Sequence, residues 1–242
     1  MQKLLLDIYP HKNQVVQDAY DILIANLHTE NKQEMPKTIC VAGACPKVGK
    51  TTVALNLAIS MAMAGWKVVF VDADMRKSRT SKRIDEPTLL GLSDYLTTQM
   101  LLADAMCKTN VENLTIITSG DTQSVNPIGL LCSPRFADMT DKLSLAYDFI
   151  VFDTPCLNSV GDGSVVAAHT DCTLLVLEAG YSKQKDMRQS IERLQTAGAK
   201  VAGIVLNKAK KTEYKRYLSA YNYFSRKKQN EAASRTGSPV AR

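Results

Sequence analysis

TICVAGACPKVGKTTVALNLAISMAMAGW, residues 38–66, passes from an apolar β-rich segment through a short loop into a helical pattern that closes near Gly65. The loop ends Gly49-Lys50-Thr51. Such a loop, set between a strand and a helix, gathers what a phosphate group needs: backbone N–H groups at a helix N-terminus, a lysine ammonium, and a hydroxyl for a divalent cation. Lys50 suits a bridge between the β- and γ-phosphates of a nucleotide and Thr51 suits Mg2+, with Pro46, Lys47, Val48, Gly49 and Thr52 as the surrounding nucleotide contacts. The match to GxxxxGK[ST] is imperfect, because Ala44 stands where the first glycine belongs.

Outward from the loop, apolar runs alternate with helical patterns. The runs are TICVAG (38–43), KVVFVDAD (67–74), NLTIITSG (113–120), YDFIVFDTP (147–155), DCTLLVLEAG (171–180) and AKVAGIVLNK (199–208). Each is continuous rather than alternating in polarity, which predicts strands buried on both faces. Helical spacing fills GKTTVALNLAISMAMAGW, LLCSPRFADMTDKLSLA and KQKDMRQSIERLQTAG, the first and third closing at a glycine suited to a helix C-terminus. Repeated βα units of this kind predict an α/β fold, a mostly parallel sheet flanked by helices.

Before the first run, NQVVQDAYDILIANLHTE (13–30) sets Val16, Tyr20, Leu23 and Leu27 on one helical face. The predicted organisation is an N-terminal helix and connector packed on the core over 1–36, the core over 37–208, and a tail over 209–242. The chain has 242 residues, 45% of them hydrophobic, enough for one domain with a full core. No apolar run approaches the roughly 18 residues that span a bilayer, and the start lacks signal-peptide features, so a cytosolic chain is expected. In a reducing compartment Cys40, Cys45, Cys107, Cys132, Cys156 and Cys172 read as small buried hydrophobes. His11, His28 and His169 are too dispersed to suggest a metal cluster.

The net charge of +6 is unevenly placed: Lys208 to Arg242 carries ten Lys/Arg against two Asp/Glu, a net +8, which leaves −2 for the rest. A tail of that charge either meets an anionic lipid, nucleic acid or acidic protein surface, or is a solvated end. Within it, YKRYLSAYNYF holds four of the nine tyrosines, Tyr214, Tyr217, Tyr221 and Tyr223. The final NEAASRTGSPVAR lacks apolar content and is expected to be disordered.

Two more runs end in carboxylates, Asp72-Ala73-Asp74 and Asp153-Thr154-Pro155. Open α/β sheets bind ligands at strand C-termini, so these ends converge on Lys50 and Thr51. Mg2+ takes hard oxygen ligands of this type. Together the residues resemble the bacterial tyrosine kinases of capsule and exopolysaccharide synthesis, within the wider MinD/ParA-like group of P-loop NTPases. The loop is similar to that family's SxxPGxGKS/T through Pro46, Gly49, Lys50 and Thr51; VVFVDADMR is similar to its second Walker-type motif and YDFIVFDTP to its Walker B stretch. DAYDILIANL, GLSDYL (91–96), NPIGLLCSPRF (126–136), VGDG (160–163) and GIVLN (203–207) extend the resemblance to nearly the whole chain before the tail.

The resemblance implies an ATP-dependent protein-tyrosine autokinase that regulates polysaccharide synthesis or export, with ATP and Mg2+ as cofactors. It implies catalytic roles for Lys50, Asp72 and Asp74, metal ligation by Thr51, Asp72, Asp74 and Asp153, adenine contact by Asn207, and autophosphorylation at Tyr214, Tyr217, Tyr221 and Tyr223. Base and metal roles stay undivided between Asp72 and Asp74. Implied partners are a separate transmembrane adaptor, a counteracting tyrosine phosphatase and further copies of the chain in a homo-oligomer. No nucleic acid is expected, and the implied location is the cytoplasm, at the inner face of the membrane when the adaptor recruits it.

Three departures qualify this reading. Lys47 stands where the family loop has glycine, so its side chain either adds a phosphate contact or strains the backbone. The N-terminal helix carries Asp18, Asp21 and Ile24 where the resembled family's EAYRxLRTN has a glutamate and two arginines that make subunit contacts in a ring; the acid is kept and both arginines are absent, which weakens the case for a ring here. Ile128 and Gly129 replace Ser and Glu in NPSELL. Two rival functions follow: a MinD/ParA-like ATPase timing association with membrane or DNA, and a weakly active nucleotide-binding scaffold. The first rival's signature lysine aligns with position 45, which here is Cys45.

Overall fold

In the computed structural model, which describes residues 3–6, 14–30, 35–76, 90–122 and 125–210, all six predicted runs are strands of one sheet. They are β2 (Thr38–Gly43), β3 (Val68–Asp72), β5 (Leu114–Ile117), β6 (Phe149–Cys156), β7 (Cys172–Glu178) and β8 (Val201–Asn207). Two short strands join them, β1 (Lys3–Leu4) and β4 (Met106–Thr109). The order across the eight-stranded sheet is β1-β4-β5-β3-β6-β2-β7-β8. Every pair is parallel except β4 with β5.

Alternate residues of the central strands point to opposite sides, as the strand period of two requires. Ile39, Val41, Phe70, Val151 and Val176 lie in one apolar layer with Val53, Leu57 and Met61. Cys40, Ala42, Val71, Phe152 and Leu175 lie in the other with Phe136, Met139, Val166 and Leu194. The first layer is covered by α1 (Gln14–Glu30) and α2 (Lys50–Met63). The second is covered by α3 (Leu92–Thr97), α5 (Pro134–Ala146), α6 (Asp162–Ala168) and α7 (Gln184–Thr196), with α4 (Pro127–Leu131) leading into α5. The chain divides into two units after Asn207. The sheet and its helices belong to the first.

The glycine stops predicted for two helices are present. Gly65 (φ +100°) follows α2 and Gly198 (φ +76°) follows α7. In each case the next residue's N–H reaches back to close the helix, Trp66 to the Met61 carbonyl and Ala199 to that of Leu194. This six-to-one bond needs a left-handed residue, which glycine adopts without steric cost.

Four expectations are corrected. β8 is not buried on both faces: it lies at the sheet edge, with Ile204 47% and Leu206 60% exposed. The single helix predicted over LLCSPRFADMTDKLSLA breaks in two, because Pro134 cannot donate within a helix and Ser133 caps a new start by accepting from the Phe136 N–H. On α1 Tyr20, Leu23 and Leu27 meet the core as expected, but the buried positions are Asp18, Ile24 and Leu27, and Val16 is only half-buried and outside the core cluster. Finally, Cys132 is exposed and Cys45 half-buried, while Cys40, Cys107, Cys156 and Cys172 are buried as expected.

Candidate active site

β2 lies between β6 and β7 in the interior of the sheet, and its C-terminal end opens directly into the loop 44–49. The turn out of the strand is tight: a Cβ on Gly43 would come 2.9 Å from Val48 Cγ2. Val48 is fully buried and anchors the loop from below, whereas Pro46 and Lys47 are exposed. Lys47 takes φ +64° and Gly49 φ +91°. A lysine in the left-handed region costs about 1 kcal/mol relative to glycine. Four ties hold the loop to its surroundings. Leu157 N donates to Gly43 O at 2.9 Å, Cys156 Sγ to Ala44 O at 3.0 Å, Ala44 N to Val176 O at 3.5 Å, and Asn207 Nδ2 to Val48 O at 2.9 Å.

The last of these alters the reading of Asn207. Its amide donor is directed at the loop backbone, so this residue holds the loop from the end of β8. Its carbonyl oxygen keeps acceptor capacity.

Lys50 opens α2 and is buried, with its ammonium 3.0 Å from Asp74 Oδ2. The carboxylates predicted to converge do so. Asp72 and Asp153 are register partners on the adjacent strands β3 and β6, and Val41 of β2 is the partner of Asp153 on the other side. Asp153 is wholly buried and Asp74 nearly so, while Asp72 is half-buried. Between them the backbone is tied twice, by Ala73 N to Asp153 O at 2.8 Å and by Asp74 N to Asp72 Oδ1 at 3.1 Å. Thr51 and Thr52, in the first turn of α2, are half-buried. Thus Lys50, Thr51, Asp72, Asp74 and Asp153 meet at one edge of β2, β3 and β6. Tyr214, Tyr217, Tyr221 and Tyr223 lie outside the described residues.

Near this edge burial disfavours the thiolate forms of Cys40, Cys172 and Cys45. Burial, the largest cause, pushes the Cys40 thiol up to about 12, against the neighbouring Thr154 and Thr173 hydroxyls, which lower it. Burial likewise drives Cys172 up to about 12. Cys45, in the loop itself, is raised by burial and then by Asp186. Cys40 and Cys172 are thus protonated thiols, as expected of core residues.

One connection escaped the sequence reading. Arg76, the last residue of DADMR, forks onto Asp162 of VGDG, with Nε donating to Oδ2 at 2.5 Å and Nη2 to Oδ1 at 3.0 Å. Both motifs were visible in the sequence. Nothing in their spacing showed that 86 residues of chain would bring them together.

Residues 36–202 match the AAA_31 model, described as an AAA domain. The chain is 32% identical over 203 residues to a putative tyrosine-protein kinase CapB of Staphylococcus aureus, covering 84% of this chain and 89% of that one. It is 33% identical over 193 residues to a tyrosine-protein kinase CpsD of Streptococcus pneumoniae, covering 79% and 84%. The chain belongs to the bacterial tyrosine-protein kinases. Among solved structures, the chimerical protein CapA2B2 superposes on this kinase chain with a TM-score of 0.78 at 28% identity, covering 87% of this chain and 94% of that one. The P-loop fold of the kinase brings the loop 44–49, Lys50 and the three aspartates to the C-terminal edge of its sheet.

Proposed function

We propose that this chain is an ATP-dependent protein-tyrosine autokinase that phosphorylates its own Tyr214, Tyr217, Tyr221 and Tyr223 and so regulates capsular or exopolysaccharide synthesis or export. The observation that carries this reading is the Lys50–Asp74 ion pair, 3.0 Å long and buried, set beside Asp72 and Asp153 in a member of this family. Among the described residues no group of three His, Cys, Asp or Glu side chains could hold a metal alone. The oxygens of Thr51, Asp72 and Asp153 instead suit Mg2+, which keeps waters and takes phosphate oxygens. Bound together, Mg2+ and ATP supply a phosphoryl group whose charge is partly neutralised.

The chain's residues then divide the work. Lys50 turns from Asp74 to the β- and γ-phosphate oxygens, and Asp74 is thereby freed next to the transferred group. Asp74 orients the tyrosine hydroxyl and accepts its proton while the phenolic oxygen bonds to phosphorus and ADP leaves. Tyrosine's pKa near 10 makes that assistance useful at neutral pH. Asp72 and Asp153, side by side across β3 and β6, belong to the metal side. Each phosphate adds about −1.5 to −2 charges to a tail of net +8, so several cancel its basic character and release it from an anionic surface.

A partner of the CapA kind, supported by the likeness to CapA2B2, serves as the separate membrane adaptor in this proposal. A tyrosine phosphatase reverses the modification, and further copies of the chain supply tails to one another. Among the described residues no helix is long and apolar enough to cross a membrane, so recruitment to the inner face from the cytoplasm falls to the adaptor.

The test is to incubate the purified full chain with ATP and Mg2+, with and without the adaptor's cytoplasmic segment, and to map phosphate by mass spectrometry. Phosphate is expected on the four tail tyrosines, with a loss of at least about 100-fold in Lys50→Met. Unmodified tyrosines with steady release of inorganic phosphate would instead make the chain an ATPase.

A further inference from the structure

Asp74 has to stand at a set distance from the β6 carboxylate Asp153 for the two to serve one phosphoryl group, yet it sits in a loop beyond the end of β3. On its N-terminal side the loop is fixed by the Ala73 N–H on the Asp153 carbonyl. On its C-terminal side the fixture is Arg76. We propose that Arg76 and Asp162 form a strut that sets the position of Asp74, making both of them positioning residues for phosphoryl transfer; the proposal rests on the kinase reading above.

Asp162 is a firm anchor. Its side chain is only 1% exposed. The residue after it, Gly163, has almost no free space: an added Cβ would lie 3.0 Å from the Pro155 carbonyl and 3.3 Å from Thr154 Oγ1. The start of α6 is therefore pressed against the segment that directly follows Asp153. The guanidinium makes two parallel bonds to this carboxylate, a geometry that fixes orientation as well as distance. Hydrogen bonding to Asp162, foremost, raises the Arg76 pKa further, so the cation persists at any working pH. Asp74 is thus bracketed on both sides by anchors from β6 and the helix that follows it. Met75, 2% exposed, seals the loop between them. Arg76 acts through Asp74, and a displacement of about 1 Å at a reacting group costs on the order of 100-fold in rate.

Arg76→Lys keeps the charge on a partly exposed side chain and removes the fork, so it is the variant to measure; Asp162→Asn is the second. Full chains are assayed in single turnover with labelled ATP, with thermal melting as the check on folding. In the wild-type background each variant is expected to lower the phosphorylation rate about 10- to 100-fold, leaving the KM for ATP within about twofold because the loop's phosphate contacts are untouched. In an Asp74→Asn background the same substitutions are expected to change the remaining rate less than twofold, since the group they position is gone. An equal loss in both backgrounds, or full activity in Arg76→Lys, would overturn the strut. If the wild-type tyrosines stay unmodified while phosphate is released, the kinase reading alone fails and both comparisons are made on phosphate release. Absence of any turnover would overturn the two together.

Discussion

Lys47 is the residue at which this loop departs furthest from its family. Its φ of +64° is the conformation for which a glycine is ordinarily present. Lys47→Gly is expected to raise stability by about 1 kcal/mol, read as a melting temperature about 2–4 °C higher. ATP affinity measured on the same variant separates two effects: tighter binding assigns strain to the native loop, and weaker binding assigns the ammonium a phosphate contact. At this scale the sequence was informative wherever a residue's chemistry is local. Lys50, Asp72, Asp74 and Asp153 could be picked out because each follows an apolar run that reads as a strand. Arg76 and Asp162 could not be paired, since a contact across 86 residues depends on where α6 packs. The side-chain amide of Asn207 was similarly opaque, because its partner is a backbone carbonyl 159 residues away.

At the scale of elements, α1 holds a titration that bears on stability. Asp21 has its carboxyl raised above 3.8, first by burial and then by the neighbouring Asp18. A carboxylate with a raised folded pKa contributes stability that is present at pH below its unfolded value and lost as pH rises through the folded one. Asp21→Asn is therefore expected to stabilise the chain at pH 7, with the gain fading as pH falls toward 3.8, as chemical unfolding at the two pH values will read. Long elements with a clear period, α1, α2 and α7 among them, were legible in the sequence. Short ones were not: β1 has two residues and β4 four, and α3 and α6 have six and seven, too few for a period to emerge. β8 misled for another reason. Its apolar run matches those of β6 and β7, but burial on both faces also requires a neighbour and a covering layer on each side, and the strand order puts β8 at the edge.

Across the whole molecule, the edge strand β8 is tied through Asn207 to the loop that follows the interior strand β2. Asn207→Ala is expected to remove about 1 kcal/mol of loop support, roughly fivefold in ligand affinity. Binding of ATP and of tripolyphosphate should fall together in a fluorescence competition titration. A contact to adenine alone would spare tripolyphosphate, which has no base. The parallel arrangement that makes this long-range tie possible also orders the events of synthesis. Both neighbours of β2 arrive late: Thr38 pairs with Ile150 and Ile39 with Cys172. At about 5–20 residues per second, the strand emerges from the ribosome roughly 6–20 s before β6 exists to pair with it. During that interval TICVAG is an apolar segment whose two pairing partners have yet to be made, so the strand that leads into the loop 44–49 is exposed to mispairing until β6 and β7 emerge.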